Sequence, residues 1–448
     1  MATQYDVIVV GAGPAGLMAA KTAGENGLKV ALIERKERIT DINRSCSMML
    51  VSLGGEYLGE RILLNTKKNR LCFPRYGFSI PYEGPHQDFY TWSIYSHKGH
   101  KIQLGDYQEN FRKGEAGRAS AVYDKEILLK GLLKVVVSLQ VDVFPSHNVI
   151  GTMKDGGKVK VITREGKFFK GTFVISADGR ASRLAQTLGL NRGRKFFGTP
   201  STLGYEMLGM ELPENYALFQ IFLDEKTPMV IWITPRTGKD EHFVVLSSLF
   251  PGTDRAAAFE RFSKTEPFSS WFQRAELKRT LTSAGNMLSH IENPYKDQVM
   301  LISDAAWCQE AEMTGAVISG WKAANAVTYA LIEGKISREG ILAYLVWWRE
   351  EVINKYDYRD MIRNVALPCV LTPDEIDLIF SLIKKPLPNV FDPYETPKLI
   401  GGALAEVMPI IAKERPIILH KLTQIRSTPL EKIFEGYIRA GFPFGQRC

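Results

Sequence analysis

Residues 5–34 read YDVIVVGAGPAGLMAAKTAGENGLKVALIE, and this stretch decides the fold. Residues 5–10 form an unbroken apolar, β-branched run of the kind that fills a strand buried on both faces. Gly11-Ala12-Gly13-Pro14-Ala15-Gly16 follows at once, and apolar residues then recur at helical spacing through Ala19, Ala20 and Ala23 towards Gly27. Residues 29–33 read as a second strand that ends at Glu34, 18 residues beyond Gly16. A GxGxxG pattern alone is weak. Between a strand and a helix, with an acidic residue closing the next strand, it means dinucleotide binding. Gly11 supplies the tight turn, Gly13 lets a pyrophosphate approach the backbone, and Gly16 lets helix and strand pack closely. The helix N-terminus, with Pro14 and Ala15 in its first turn, favours the phosphate charge. Glu34 can accept from ribose hydroxyls, and Arg35 follows it.

Further along, residues 44–110 show no sustained period and read as loops and short strands. A helix is expected over 125–139, then a β-meander through 148–153, 158–163 and 168–176, with turns at 154–157 and 164–166. Residues 199–250 are again strand-rich. A buried strand at 299–303 precedes a long helix from about 315 to 333. The period is helical from 336 onward, with proline-marked breaks at 368, 373, 386, 388, 393 and 397. There is no internal repeat.

The 448 residues allow two or three domains and a large core. Hydrophobic residues at 45% and charged residues at 24% exclude long disorder. The net charge of +8 is too diffuse for a nucleic-acid interface, but suits an acidic ligand or an anionic membrane surface. Five scattered cysteines without a CxxC pair, and seven histidines without ligand spacing, argue against a metal site and for a reduced, cytoplasmic protein. The richest late apolar stretch, 399–412, is interrupted by Glu406 and Pro409, so no segment is expected to span a bilayer. From Lys413 to the end there are seven Lys or Arg against three Glu, with apolar residues interleaved. That pattern suits either peripheral membrane contact or a solvated helical face.

Two more motifs narrow the cofactor. Residues 173–182 (FVISADGRAS) are a strand ending in Asp178-Gly179, and residues 299–306 (VMLISDAA) are a strand ending at Asp304, followed by Thr314-Gly315-Ala316 and a helix. In this order and at these separations the three motifs resemble the p-hydroxybenzoate-hydroxylase-like FAD superfamily over residues 1–335. The resemblance implies FAD held by Gly11, Gly13, Pro14, Ala15, Gly16, Glu34, Arg35, Cys46, Arg118, Asp178, Gly179, Asp304, Gly315 and Ala316. A helix N-terminus beside the flavin would stabilise the negative charge of its reduced form. Four positions depart from the family pattern. Ser303 stands where Gly is usual before the Asp, and Trp307 to Glu312 replace the usual Asn-Pro. Thr314-Gly315-Ala316-Val317 replaces Thr-Gly-Glu-Gly, and Ala185 stands where an arginine is common.

Within that superfamily the chain is similar to the geranylgeranyl reductase branch. Arg44-Ser45-Cys46 resembles its basic-x-Cys segment. Pro228 to Pro235 (PMVIWITP) resembles its PxxYxWxFP motif, matching at Pro228, Trp232 and Pro235. The resemblance implies an α/β chain (α+β overall): a Rossmann-like FAD-binding domain from 1–190 and 281–335, a β-sheet substrate-binding domain from 191–280, and a helical C-terminal region from 336–448. It further implies Cys46 and Trp232 as catalytic residues, with Trp232 and Cys308 against an apolar isoprenoid substrate. Cys46 and Cys308 are either a redox pair or two reduced thiols. The implied reaction is reduction of isoprenoid carbon–carbon double bonds in a geranylgeranyl or polyprenyl lipid or diphosphate. NAD(P)H, ferredoxin or another redox protein would supply the electrons. An FAD monooxygenase acting on aromatic or polyketide substrates, and a flavoprotein electron-transfer partner, are the alternatives.

Overall fold

The computed structural model describes residues 3–250, 252–307, 311–364, 366–439 and 446–447. The strand Gln4–Val10 lies in a mixed sheet of eight strands. It pairs in parallel with Val30–Ile33 on one side and with Phe168–Ser176 on the other. Asp142–Phe144 extends the sheet beyond Val30–Ile33, again in parallel. The long strand Phe168–Ser176 is shared. Its first half takes the meander strand Lys158–Thr163 antiparallel, and its last three residues take Val299–Leu301 parallel. The five parallel strands therefore bring their C-terminal ends, with Gly11, Glu34, Ala177 and Ile302 just beyond, to one edge. Ligands of open α/β sheets bind at that edge. Val7, Ile8 and Val9 are wholly buried, which explains the uninterrupted apolar run. Helix Pro14–Glu25 packs against both helix Lys125–Ser138 and helix Glu312–Ile332.

A second, seven-stranded sheet runs Lys101–Leu104, Trp92–Tyr95, Leu218–Phe222, Val230–Pro235, Glu241–Ser248, Ser201–Leu208, Glu276–Ala284. Two of its strands come from residues 92–104, well before 191, and the pairing of Trp92–Tyr95 with Leu218–Phe222 is parallel. Strand alternation sorts the side chains. Phe219, Ile221, Ile231 and Ile233 face a core closed by helix Arg255–Phe262, Phe268 and Trp271. Trp92, Ile94, Leu218 and Trp232 face the C-terminal helices instead, against Ile376, Phe380, Phe391 and Val407.

Those helices cover the sheet because polar groups also hold them. His100 Nδ1 lies 2.8 Å from Asp377 Oδ1 and His97 Nε2 lies 3.5 Å from Asp374 Oδ1, both carboxylates on helix Pro373–Leu382. The close histidines of the sequence are thus docking contacts. Proline is a weaker break here than its spacing predicts. Pro373 is the first residue of its helix, and Pro397 sits in the first turn of Glu395–Glu414, where a missing N–H costs nothing. That helix continues through Glu406 and Pro409. Among the described residues no helix is long and apolar enough to cross a membrane.

Candidate functional site

The C-terminal edge of the parallel strands opens into a cleft of about 1210 Å³ that also reaches the second sheet. Pockets of roughly 300–1,000 Å³ hold drug-sized ligands, so this one has room for a dinucleotide and a second molecule. Gly11, Gly13, Pro14, Ala15, Glu34, Arg35, Asp178, Gly179, Asp304 and Ala316 line it, together with Cys46 and Trp232.

Its polar end is built from backbone geometry. Gly11 has φ +94°, and a Cβ there would collide with the Ala177 carbonyl. Gly16 lies beneath the surface, where a Cβ would overlap the Gly11 carbonyl oxygen. Gly13 differs: a Cβ on it would meet nothing within 4 Å, because it faces the cleft. Gly13 is also the N-cap of helix Pro14–Glu25 and offers no side-chain cap, so the first amides are left for an anion. The buried Glu34 carboxylate accepts from Ala12 N at 2.7 Å and Lys36 N at 2.9 Å. Each oxygen keeps a lone pair for a hydroxyl. An uncapped helix start, open space at Gly13 and a fixed acceptor at Glu34 fit the pyrophosphate and ribose of FAD.

Asp178 is held by Ser176 Oγ at 2.7 Å and by Leu184 N at 3.2 Å, while Ser182 caps the short helix Arg183–Thr187. Asp304 accepts from Ala311 N at 2.9 Å. Ser303 adopts φ +53°, a left-handed conformation that explains why glycine is usual there. Arg194 braces this segment from behind. Its guanidinium donates to the Trp307 carbonyl at 2.7 Å and to Asn191 Oδ1 at 3.0 Å.

His290 stands edge-to-face on Trp307, 5.4 Å between ring centroids. Burial foremost, and then the Arg194 guanidinium, push its pKa from 6.5 down to about 4. The folded protein therefore resists protonation that the unfolded chain accepts. Stability is intact above about pH 6.5 and is lost as the pH falls through about 4, by about 3 kcal/mol in total. Denaturant titrations from pH 7.5 to 4 are expected to show this loss in the native protein and a correspondingly shallower slope in His290→Phe. Equal slopes would assign the acid sensitivity elsewhere.

The second sheet lines the cleft as well, with the apolar Phe222, Val230, Trp232 and Val245 beside the polar Thr202, Gln220 and Ser247, and Met48, Met49, Met313 and Pro368 add further apolar surface. Trp232 is half-buried and packs on Trp92, 5.5 Å between ring centroids. Cys46 lines the cleft too, and Lys125 Nζ is 3.7 Å from its sulfur.

The structure does not bring every expected residue to the cleft. Arg118 stands outside its wall, paired with Glu115 at 3.1 Å and Asp88 at 3.5 Å, so its charge is engaged away from the dinucleotide end. Gly315 faces Tyr57 and Leu58, leaving Ala316 as the cleft-lining residue of that turn. Cys308, and with it the Cys46–Cys308 pairing, lies outside the described residues. Sequence reading missed Lys125. A lysine as the first residue of a helix opposes the helix dipole, and that local inconsistency was the available signal.

Comparison with known proteins agrees with this geometry. The family model described as FAD binding domain matches residues 4–310. A digeranylgeranylglycerophospholipid reductase of Methanosarcina acetivorans is 24% identical over 390 residues, covering 85% of this chain and 89% of the relative. Digeranylgeranylglycerophospholipid reductase 1 of Methanothermobacter thermautotrophicus is 28% identical over 370 residues, covering 80% and 86%. Among solved structures, a geranylgeranyl bacteriochlorophyll reductase-like protein of Thermoplasma acidophilum aligns with TM-score 0.68 at 20% identity, covering 95% of this chain and 100% of the other. The flavin-dependent brominase Bmp2 aligns with TM-score 0.61 at 17% identity, covering 91% and 100%.

Proposed function

The chain belongs to the family of proteins built on this FAD binding domain, and from that premise we propose that it reduces carbon–carbon double bonds in the geranylgeranyl or polyprenyl chain of a lipid or diphosphate. The observation that carries the reading is the continuity of the cleft. Backbone suited to a dinucleotide at Gly11 and Gly13, the apolar side chains Phe222, Val230, Trp232 and Val245, and Cys46 all line this one cavity. The names of the reductases it resembles point the same way. FAD, once reduced, supplies the hydride for such a reaction.

In this reading Gly13, the following helix N-terminus and Glu34 hold the cofactor, and Asp178 and Asp304 fix its middle and flavin end. Trp232, Phe222 and Val245 hold the apolar chain against the flavin and exclude water. Their contribution is orientation, which can supply several kcal/mol of a barrier. The donor that reduces the flavin is a nicotinamide or a ferredoxin-like protein. Exposed Ile410 and Ile417, on the helices Glu395–Glu414 and Pro416–Ser427, with exposed Lys413 and Arg415 in the chain between them, suit a transient seat on an anionic membrane from which a lipid enters.

The test is anaerobic. The flavoprotein is photoreduced, geranylgeranyl diphosphate or a geranylgeranylated lipid is added, and flavin reoxidation is followed while the lipid is weighed by mass spectrometry. Reoxidation without oxygen, with the lipid gaining hydrogens in pairs, is expected. A flavin that stays reduced until air enters, with the isoprenoid unchanged, would overturn the reading in favour of oxygen-dependent hydroxylation.

A further inference from the structure

One line of side chains crosses the cleft face of the second sheet. Register pairs Phe222 with Val230, Val230 with Ser247, Ser247 with Thr202, and Thr202 with Ser283. Residues paired directly share a face, and all five line the cleft. Four interstrand steps of about 4.8 Å make the line roughly 19 Å long. Its chemistry changes along its length, because two apolar side chains come first and three hydroxyls follow. Those hydroxyls are idle. Thr202 Oγ1 is buried without a hydrogen-bond partner, and among the described residues neither Ser247 nor Ser283 makes a side-chain hydrogen bond. The next residues on the same strands behave differently. Ser248 Oγ donates to the Pro228 carbonyl at 3.1 Å and accepts from Phe250 N at 3.2 Å, and Ser201 Oγ accepts from the Arg255 guanidinium. The protein thus uses the hydroxyls off the line and leaves those on it unused. A buried hydroxyl without a partner is destabilising, so this row is equipped for oxygen atoms that arrive with a ligand. Positive charge stands at the same end. Arg180 lines the cleft with its guanidinium against Gly285, just past Ser283, where a Cβ would come within 2.7 Å of Arg180 Nε.

We propose that Ser247, Thr202 and Ser283 seat the phosphorylated head of the substrate, with Arg180 beside them, while the attached isoprenoid chain runs the other way along Val230 and Phe222. The proposal rests on the reductase reading and deepens it by naming the head and the direction of the chain. Hydroxyl and guanidinium N–H groups donate to phosphate oxygens, and bonds to a charged acceptor are the stronger kind. Geranylgeranyl diphosphate and a geranylgeranylated glycerol phosphate share that chemistry. A few polar groups in an otherwise apolar site are what fix a ligand's orientation. A head held at one end of the line also fixes how far the chain reaches, and so which of its double bonds comes to the flavin.

The test uses the FAD-loaded protein with its flavin oxidised, so that binding is measured without hydride transfer. Geranylgeranyl diphosphate, a geranylgeranylated glycerol phosphate and geranylgeraniol, which carries the chain without phosphate, are titrated in turn by equilibrium dialysis. Ser247→Ala and Thr202→Val are made singly and together. The double variant is expected to bind a phosphorylated ligand roughly ten- to hundredfold more weakly and geranylgeraniol as the native chain does. The phosphorylated ligand that shows the loss identifies the head. Flavin content is expected to stay constant, and Thr202→Val to unfold no earlier than the native protein, because the hydroxyl it removes has no partner. Equal weakening of geranylgeraniol, or no weakening of any ligand, would overturn the head seat alone. Loss of flavin would give the row to the cofactor, and earlier unfolding of Thr202→Val would give that hydroxyl to the fold; either overturns the seat. A native protein that binds none of the three ligands would overturn the reductase reading itself.

Discussion

Gly13→Ala is expected to leave the fold standing and strip the protein of tightly held flavin, whereas Gly16→Ala is expected to cost the fold itself. The two glycines belong to one motif but meet different neighbours. Gly13 has φ −73° and ψ −176°, extended backbone that alanine adopts freely, and its Cβ would project into the empty cleft. The added methyl would stand where a pyrophosphate must touch the backbone. Overpacking of this kind costs about 1–3 kcal/mol, a roughly ten- to hundredfold loss of FAD affinity. At Gly16 the added carbon would overlap the Gly11 carbonyl oxygen, a backbone atom with no rotamer to change. Helix Pro14–Glu25 would have to lift from the sheet and lose its packing on Glu312–Ile332, a loss above about 3 kcal/mol. Flavin content after gel filtration and thermal unfolding of the apoproteins separate the two effects. Full retention of flavin by Gly13→Ala would place the pyrophosphate elsewhere.

The cofactor half was legible because its signals are local. The apolar run 5–10, the glycines and Glu34 occupy one contiguous stretch, and each residue type has one physical use there. Asp178 and Asp304 were legible for a similar reason, since each follows a buried apolar strand of the parallel sheet, Phe168–Ser176 beside Gln4–Val10 and Val299–Leu301 beside Phe168–Ser176. The substrate end was harder. The strands Trp92–Tyr95 and Lys101–Leu104 join their sheet through a parallel pairing across more than a hundred residues, and no local period announces such a partner. Helix Glu395–Glu414 hides its continuity behind Pro397 and Pro409. Lys125 needed the fold to acquire meaning, because its closeness to Cys46 joins residues 79 positions apart.

Trp232→Ala is expected to lower kcat/KM for a geranylgeranyl substrate by roughly ten- to hundredfold, with Trp232→Phe keeping most of it. Strand alternation is the reason. Ile231 and Ile233 point into the core beneath helix Arg255–Phe262, and Trp232 points the other way, into the cleft and onto Trp92. Its half-buried ring therefore has two surfaces to serve. The face on Trp92 and the C-terminal helices contributes to stability, and truncating it should cost about 2–3 kcal/mol, less than a fully buried tryptophan. The face towards the cleft is free to hold an apolar chain, and the area lost there is worth about 1–3 kcal/mol of binding. That second loss falls on the reaction because a displaced alkene no longer meets the flavin in line, and misplacement by about 1 Å costs as much as a hundredfold in rate. Flavin affinity, which the proposed reading assigns to Gly13 and Glu34, is expected not to change. If Trp232 serves only packing, Trp232→Ala will unfold earlier while each folded, flavin-loaded molecule turns over at the native rate.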